Sequence, residues 1–512
     1  MLTSDYLAIL AALVLTAFIR VRFGKRSILP LPPGPRKLPL LGNLFDLPTD
    51  HQWLAYAKLC EKYNSSIIHL GALGLDFIIL NSFDDAIELF EKRSHNYSDR
   101  PQFTMLSELM GWKWAMSVMP YAEAWRDRRR TFTKYFHPGN PDVYKATQIE
   151  FLRKMLPQLL KEPENFLSIT RHAVGGISLS LAYGLDIKET DDPNIELAEK
   201  AIASIVKATG SGTYLVDILP ILRYIPSWIP GATFQKQAKV FRKIQEEFLC
   251  SPYEATIRNM ATGSARPSFV VDAVSNIDEN RNLEDQHSVI KDTAGTVFLG
   301  GADTTLSGIH SMFVAMISFP EVQLKAQEEL DRVLQGRLPE YDDLKDLPYV
   351  AALVKEIIRW QPTFPIGVPH GVMEDDVYKD YFVPKGTIVI ANAWAMLHNE
   401  ADFPDPSSFK PERYLKNGQL DPKVRDPALI AFGFGRRICP GNHIAISVLS
   451  LVVASVLLTF NISKAIGKDG KLIEHSVKYR SGIVSNPEPF KCTIKPRSKA
   501  AEDLIRSAAD SY

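Results

Sequence analysis

The chain has 512 residues, with Lys+Arg and Asp+Glu balanced at 59 each, so its formal net charge is zero and no global field gathers nucleic acid. Its 46% hydrophobic content fills a sizeable core, and no repeat, low-complexity linker or Gly/Ser-rich break divides it. Four cysteines (Cys60, Cys250, Cys439, Cys492) lie far apart without a CxxC, which argues against a disulfide framework or structural zinc site and suits a reducing compartment.

Tyr6 to Ile19 carries no charge and, with Leu2 and Val21, nears the lower limit of a membrane span, roughly 17 residues. Asp5 precedes it; Arg20, Arg22, Lys25 and Arg26 follow, so the positive side stays cytoplasmic. Residues 1–22 are therefore expected to form a single-pass anchor in the endoplasmic reticulum, with the body facing the cytosol. A cleaved signal peptide is the competing reading, but the leading residues lack positive charge and no small-residue cleavage site follows. Residues 23–40 form a basic, proline-rich hinge, in which Pro30-Leu31-Pro32-Pro33-Gly34-Pro35 cannot be helical. The body is expected over 41–498, with a polar tail over 499–512.

Ser66 to Leu70 and Phe77 to Asn81 read as two strands of a hairpin around Gly71 and Gly74. Asn64, Asn96 and Asn461 head glycosylation sequons that a cytosolic body leaves unmodified. Arg100 to Met119 is rich in Phe, Met, Leu and Trp without a clear period, either core or pocket loop. On a helix, Trp125 and Arg129 share a face, and together they can hold a carboxylate. Arg126, Arg128, Arg130 and Lys134 would then make a basic patch for an acidic partner. Residues 141–280 look helical; within them, residues 213–234 are apolar and broken by prolines, either a membrane-dipping lid or core.

From about Leu283 to Phe319 there is no proline, so one long helix is expected, ended by Pro320, with Gly300-Gly301-Ala302-Asp303-Thr304-Thr305 at its middle. The glycines weaken the helix by about 1 kcal/mol each against alanine and permit a groove there. Asp303 and Thr304 place a carboxylate and a hydroxyl beside it, a pair suited to moving protons. Glu356 and Arg359 are one turn apart and can pair. Residues 362–370 are broken by prolines into a turn, and Thr387 to Asn392 reads as a strand.

Phe432-Gly433-Phe434-Gly435-Arg436-Arg437-Ile438-Cys439-Pro440-Gly441 places a cysteine before a helix apolar almost all round, from Asn442 to Phe460. Pro440 suits the first helical position, and a thiol at a helix N-terminus is favoured as thiolate. Phe432, Gly435, Arg437, Cys439 and Gly441 resemble the haem-binding signature of the cytochrome P-450 family, Phe-x-x-Gly-x-Arg-x-Cys-x-Gly. Gly300-Gly301-x-Asp303-Thr304-Thr305 is similar to that family's oxygen-activation motif, and Glu356-x-x-Arg359 followed by Pro411-Glu412-Arg413 to its buried ion network. The likeness runs from the hinge to Arg497 and is most like fungal secondary-metabolism members; Asn442 departs from it, where arginine is common.

The resemblance implies a mainly α fold (α+β), many helices around a buried haem with small β-sheets. It implies Cys439 as the axial iron ligand, with Phe432 and Gly441 around the cofactor. Trp125, Arg129, Arg437 and His370 would hold the propionates. Asp303 and Thr304 would deliver protons. Glu356, Arg359 and Arg413 would form the structural network, and Phe298, Ala302, Phe364, Ile366, Val368 and Ile483 would line the substrate pocket. The implied activity is insertion of one oxygen atom from O2 into a lipophilic small molecule such as a terpenoid, polyketide or aromatic. No dinucleotide fingerprint is present, so electrons are expected from a partner, which the resemblance implies to be an NADPH-dependent flavoprotein reductase; a monomer is expected. An O2-independent haem-thiolate isomerase or dehydratase, and a haem sensor, are the alternatives.

Overall fold

The computed structural model describes residues 28–210, 214–467, 471–473 and 477–509. The anchor read over 1–22 lies outside them. Among the described residues, Asn442–Thr459 is the helix long and apolar enough to cross a membrane, and 72% of it is buried in the protein interior. It is a core helix.

The fold is mostly helical. Helices α1 (Gln52–Lys62), α2 (Glu123–Tyr135), α3 (Asp142–Lys161), α4 (Phe166–Tyr183), α5 (Pro193–Ala208) and α6 (Thr233–Thr262) precede the long α7 (Leu283–Ser318). After it come α8 (Pro320–Leu334), α9 (Pro348–Trp360), α10 (Asn442–Thr459) and α11 (Lys499–Ala509). The Asn282 side chain accepts the Asp285 N–H, with Glu284 and Asp285 in the first turn, which caps α7 and suits its dipole. Phe319 leaves helical geometry and Pro320 opens α8. The helix thus has nearly the bounds its sequence predicts. It packs along α4, which is buried almost all round.

The predicted hairpin forms as β1 (Ile67–Ala72) and β2 (Leu75–Leu80), pairing Ile67 with Leu80. Two more strands extend it: β3 (His370–Gly371) and β4 (Ile388–Ala391), in the order β1-β2-β4-β3. β4 runs parallel to β2 and antiparallel to β3, so the strand expected over 387–392 is an inner one. His370 is therefore a buried strand residue rather than a loop residue.

Two expectations about the ends differ. The proline-rich hinge docks on the body: the carbonyl of Pro30 accepts the Phe382 N–H, and that of Pro33 accepts the His69 N–H. The segment read as a polar tail over 499–512 contains α11, which places Ala501, Ile505 and Ala508 in the core against α3. Their spacing is the i, i+4, i+7 stripe of an amphipathic helix. Of the sequons, Asn96 is buried, its side chain engaged by Glu374 and Met373, which no glycan could share.

Candidate active site

The Cys439 loop is shaped by glycine. Gly435 has φ +55°, and a Cβ there would lie 2.0 Å from the carbonyl oxygen of Phe90, so no other residue fits. The Cys439 N–H donates to the Phe432 carbonyl at 2.8 Å, and Phe434 packs on Phe83 and Phe90. Helix α10 starts at Asn442, with Gly441 at its cap, so Pro440 lies in the turn before the helix rather than at its first position. The Asn442 side chain accepts the His443 N–H at 2.7 Å. Burial pushes the Cys439 thiol up, while the Gly441 N–H and the Arg129 charge pull it down. Without a metal, burial outweighs the helix-end effect expected from sequence.

Cys439 opens into a cavity of about 450 Å³. Across it lies the middle of α7, with Gly300, Asp303 and Thr304 on the wall. Gly300 meets open space, whereas a Cβ on Gly301 would fall 2.2 Å from the Ser178 hydroxyl of α4. One glycine thus clears the cavity and the other lets two helices approach. Thr304 donates to the Gly300 carbonyl. Asp303 takes a hydrogen bond from Asn486 at 3.4 Å; burial raises its carboxyl, and Arg171 and Arg480 oppose that.

At the other end the wall is cationic. Arg437 donates to the carbonyls of Ser98, Met116 and Met119 and lies over the Trp125 ring at 4.4 Å. Burial pushes it down to about 10. Arg129 donates to the Ile438 carbonyl at 2.7 Å and is also lowered by burial. His370 stacks on Phe90, and its Nδ1 bonds the Tyr97 carbonyl. A carbonyl only accepts, so Nδ1 carries the proton. Sequence reasoning missed Arg100, which is buried, holds the carbonyls of Val368 and Pro369, and leaves its Nε without a partner. Among the described residues, none of Arg100, Arg129 and Arg437 is in an ion pair with a carboxylate. Two buried guanidiniums, Arg100 and Arg437, and the half-buried Arg129, none of them in an ion pair, fit an anionic group in this cavity.

Of the expected pocket residues, Phe364, Val368 and Ile483 line the cavity, as do Phe432 and Gly441. Phe298, Ala302 and Ile366 do not. Phe298 is buried away from it, stacked on Phe248 at 5.0 Å; Ala302 is buried in the same core. Ile366 packs with Trp53, Tyr56 and Ile68 under the sheet. The remaining wall includes Phe103 and Leu106 from the aromatic segment after Arg100, and Ile177, Leu181, Ile202 and Ile205 from helices without a sequence signal. Arg100 to Met119 proves to be both core and cavity wall.

The Glu356 network forms as read. Arg359 donates to both Glu356 oxygens at 2.8 Å and Arg413 donates from Nε at 3.0 Å, with Glu356 and Arg359 fully buried. The basic patch on α2 is weaker than expected. Arg128 is held by Asp292 of α7 at 2.7 Å, and Arg126 and Arg130 are paired with Glu123 and Asp127.

Residues 32–494 match the family model for Cytochrome P450. The chain belongs to the cytochrome P450 family. It is 45% identical to Cytochrome P450 monooxygenase ple1 of Rhodocybe pseudopiperita over 98% of this chain and 96% of that protein. It is 40% identical to Tryptamine 4-monooxygenase of Psilocybe cyanescens, over 94% of this chain and 95% of that one. Cytochrome P450 monooxygenase claR of Ampulloclitocybe clavipes is also 40% identical, over 94% and 89%. This P450 is a monooxygenase, an oxidoreductase that uses haem, O2, an organic substrate and a redox partner. Haem supplies a redox iron whose thiolate ligand favours O–O cleavage. The cavity suits it: a thiol at one face, unpaired cations at the rim and apolar walls.

Proposed function

We propose that this P450 hydroxylates a neutral, lipophilic small molecule of secondary metabolism, of terpenoid, polyketide or aromatic type. The observation that carries the reading is the cavity itself, with Cys439 on one side and Gly300, Asp303 and Thr304 on the other. Cys439 would ligate the iron; Arg437, Arg129 and Trp125 would hold the propionates, Arg100 would add a further cation beside them, and His370, its Nδ1–H spent on the Tyr97 carbonyl, would join them only with Nε2 protonated as well. Asp303 would hold and supply the proton that the oxygen chemistry needs, with Thr304 beside it as a hydrogen-bond acceptor. The overall reaction is substrate, O2, NADPH and a proton giving alcohol, water and NADP+. Asp303 is the carboxylate lining the cavity among the described residues, and the walls are mostly apolar with a few uncharged polar groups such as Ser178, Thr296 and Gln361, which favours an uncharged, lipophilic substrate.

Electrons would arrive from an NADPH-dependent flavoprotein reductase. Anchoring by residues 1–22 at the endoplasmic reticulum has support from the segment after Tyr214, where Leu215, Ile221, Tyr224 and Trp228 are exposed, Trp228 at 79%. Of the two readings of residues 213–234, these side chains favour a lid that meets lipid. An apolar anchor over residues 1–22 predicts sedimentation with membranes that weakens when those residues are removed.

The deciding test is the absorption spectrum of reduced protein with carbon monoxide, for wild type and Cys439→Ala. A strongly red-shifted Soret band that the substitution abolishes supports thiolate ligation. A histidine-type band in the wild type overturns it.

A further inference from the structure

Residues 479–487 form a small hairpin clamped on α7. Its Arg480 N–H donates to the Asn486 carbonyl at 2.8 Å, and Tyr479 bridges Pro487. Ser307 of α7 donates to the Ser485 carbonyl at 2.6 Å, and the Tyr479 hydroxyl donates to Ser311 at 3.1 Å. The Ser485 N–H donates to the Thr363 carbonyl. Ile483 and Val484 of this hairpin line the cavity; Asn486 does not, and turns instead to Asp303.

Asn486 Nδ2 donates to Asp303 Oδ2, and Oδ1 of Asp303 has no hydrogen-bond partner among the described residues. The amide oxygen of Asn486 is buried and also unpartnered. The charges near Asp303 are Arg171, engaged by Glu199 at 3.4 Å, and the exposed Arg480; neither forms an ion pair with Asp303. Asp303 is thus held by a neutral group. A lysine or arginine only donates, and would pin the carboxylate as an anion. An amide donates from nitrogen to the ionised acid and, turned over, accepts at oxygen from the neutral acid. The unpartnered oxygen of Asn486 is the acceptor half of that exchange.

We propose that Asn486 is the positioning residue for Asp303, holding its carboxyl in place in both protonation states. The proposal rests on Asp303 as the proton-delivering carboxylate of this site. It places control of proton delivery in the same hairpin that supplies Ile483 and Val484 to the substrate wall.

The test uses the full-length holoprotein with reductase, comparing wild type, Asn486→Leu, Asn486→Asp and Asp303→Asn. Leucine keeps the shape without the amide; aspartate keeps the shape and replaces the donor with a second carboxylate. The readouts are the solvent deuterium isotope effect on NADPH oxidation, hydrogen peroxide formed per NADPH, the C–O stretching frequency of the carbon monoxide complex, and clotrimazole affinity as a probe of the cavity. Both Asn486 variants are expected to raise the peroxide share about threefold or more and to move the isotope effect and C–O frequency. Clotrimazole affinity should stay within about twofold. If Asp303→Asn moves the isotope effect and both Asn486 variants leave it at the wild-type value, the Asn486 proposal alone is overturned. If Asp303→Asn also leaves it unchanged, the reading of Asp303 fails and the proposal with it. Loss of haem content or clotrimazole affinity in proportion to the loss of turnover would assign Asn486 a purely structural part and overturn the proposal.

Discussion

The hydroxyl of Thr304 donates to the carbonyl of Gly300 at 2.6 Å, one turn back in the same helix. Its hydrogen is directed along the backbone, which leaves oxygen lone pairs for the cavity. In this state Thr304 accepts a hydrogen bond from whatever occupies the groove, and the mobile proton belongs to Asp303. Thr304→Ala removes that acceptor and should divert electrons from product to hydrogen peroxide, by about threefold or more per NADPH. Thr304→Ser keeps the acceptor and should stay near wild type. The change in unfolding free energy should be below about 1 kcal/mol for both, since this back-bond does little for helix stability.

Glu356 is the single anion under two guanidiniums. Arg359 also donates to the carbonyls of Leu397, Pro406 and Ser408, and the Lys410 N–H donates to Glu356 at 2.8 Å. Glu356→Gln strips the charge while both cations stay, and should destabilise the fold by about 3–5 kcal/mol. Arg359→Lys should fail similarly, because an ammonium cannot span both carboxylate oxygens and three carbonyls. Denaturant unfolding followed by Soret absorbance measures both; a midpoint equal to the wild type would contradict the buried-network account.

Asp217 gives a pH signature. It belongs to the lid segment itself and accepts the Met105 N–H at 2.7 Å, and burial pushes its carboxyl up to about 6. An unfolded aspartate titrates near ~3.9. Between about pH 4 and about pH 6 the folded chain keeps a proton that the unfolded chain has lost, so this group's contribution falls as pH rises, by up to about 1.4 kcal/mol per unit. Asp217→Asn keeps the acceptor for Met105 and removes the ionisation penalty. Its melting temperature should exceed the wild type at pH 7–8 and converge with it near pH 4, at matched scan rate. Parallel curves would show that Asp217 ionises freely in the fold.

Phe298 and Phe364 separate packing from specificity. Phe364→Ala enlarges the cavity and should change which ligands give a substrate-type spectral shift, with modest loss of stability. Phe298→Ala opens a hole between Phe248 and Tyr183 and should cost about 3–5 kcal/mol while leaving the ligand profile alone. A ligand panel read alongside thermal unfolding distinguishes the two.

That pair also marks where sequence reasoning ran out. Cys439, Arg437, the Asp303–Thr304 pair and the Glu356 network were legible because each needs a rare combination of residue types at fixed spacing. Apolar positions carry no such mark. Yet one constraint was present: with Gly300 and Thr304 on the cavity side of a helix at about 100° per residue, positions 298 and 302 fall on the far side. Ile366 was misplaced for another reason, since prolines on either side hide which way a turn residue faces. Arg100 gave no signal, because its neighbours, the carbonyls of Val368 and Pro369, come from a distant part of the chain. The α5 residues of the wall were equally silent, being ordinary members of an amphipathic helix.

The hairpin of residues 479–487 has a consequence for assembly. A chain made from its N-terminus produces Trp125, Arg129, His370, Arg437 and Cys439 before Ile483 and Val484, and α11 after them. Every polar group proposed to grip the haem thus exists while one apolar wall is still missing. The wall of Ile483 and Val484 is thus the last part of the cavity in chain order, and Ser307 and Ser311 of α7 are the groups to which its hairpin is tied.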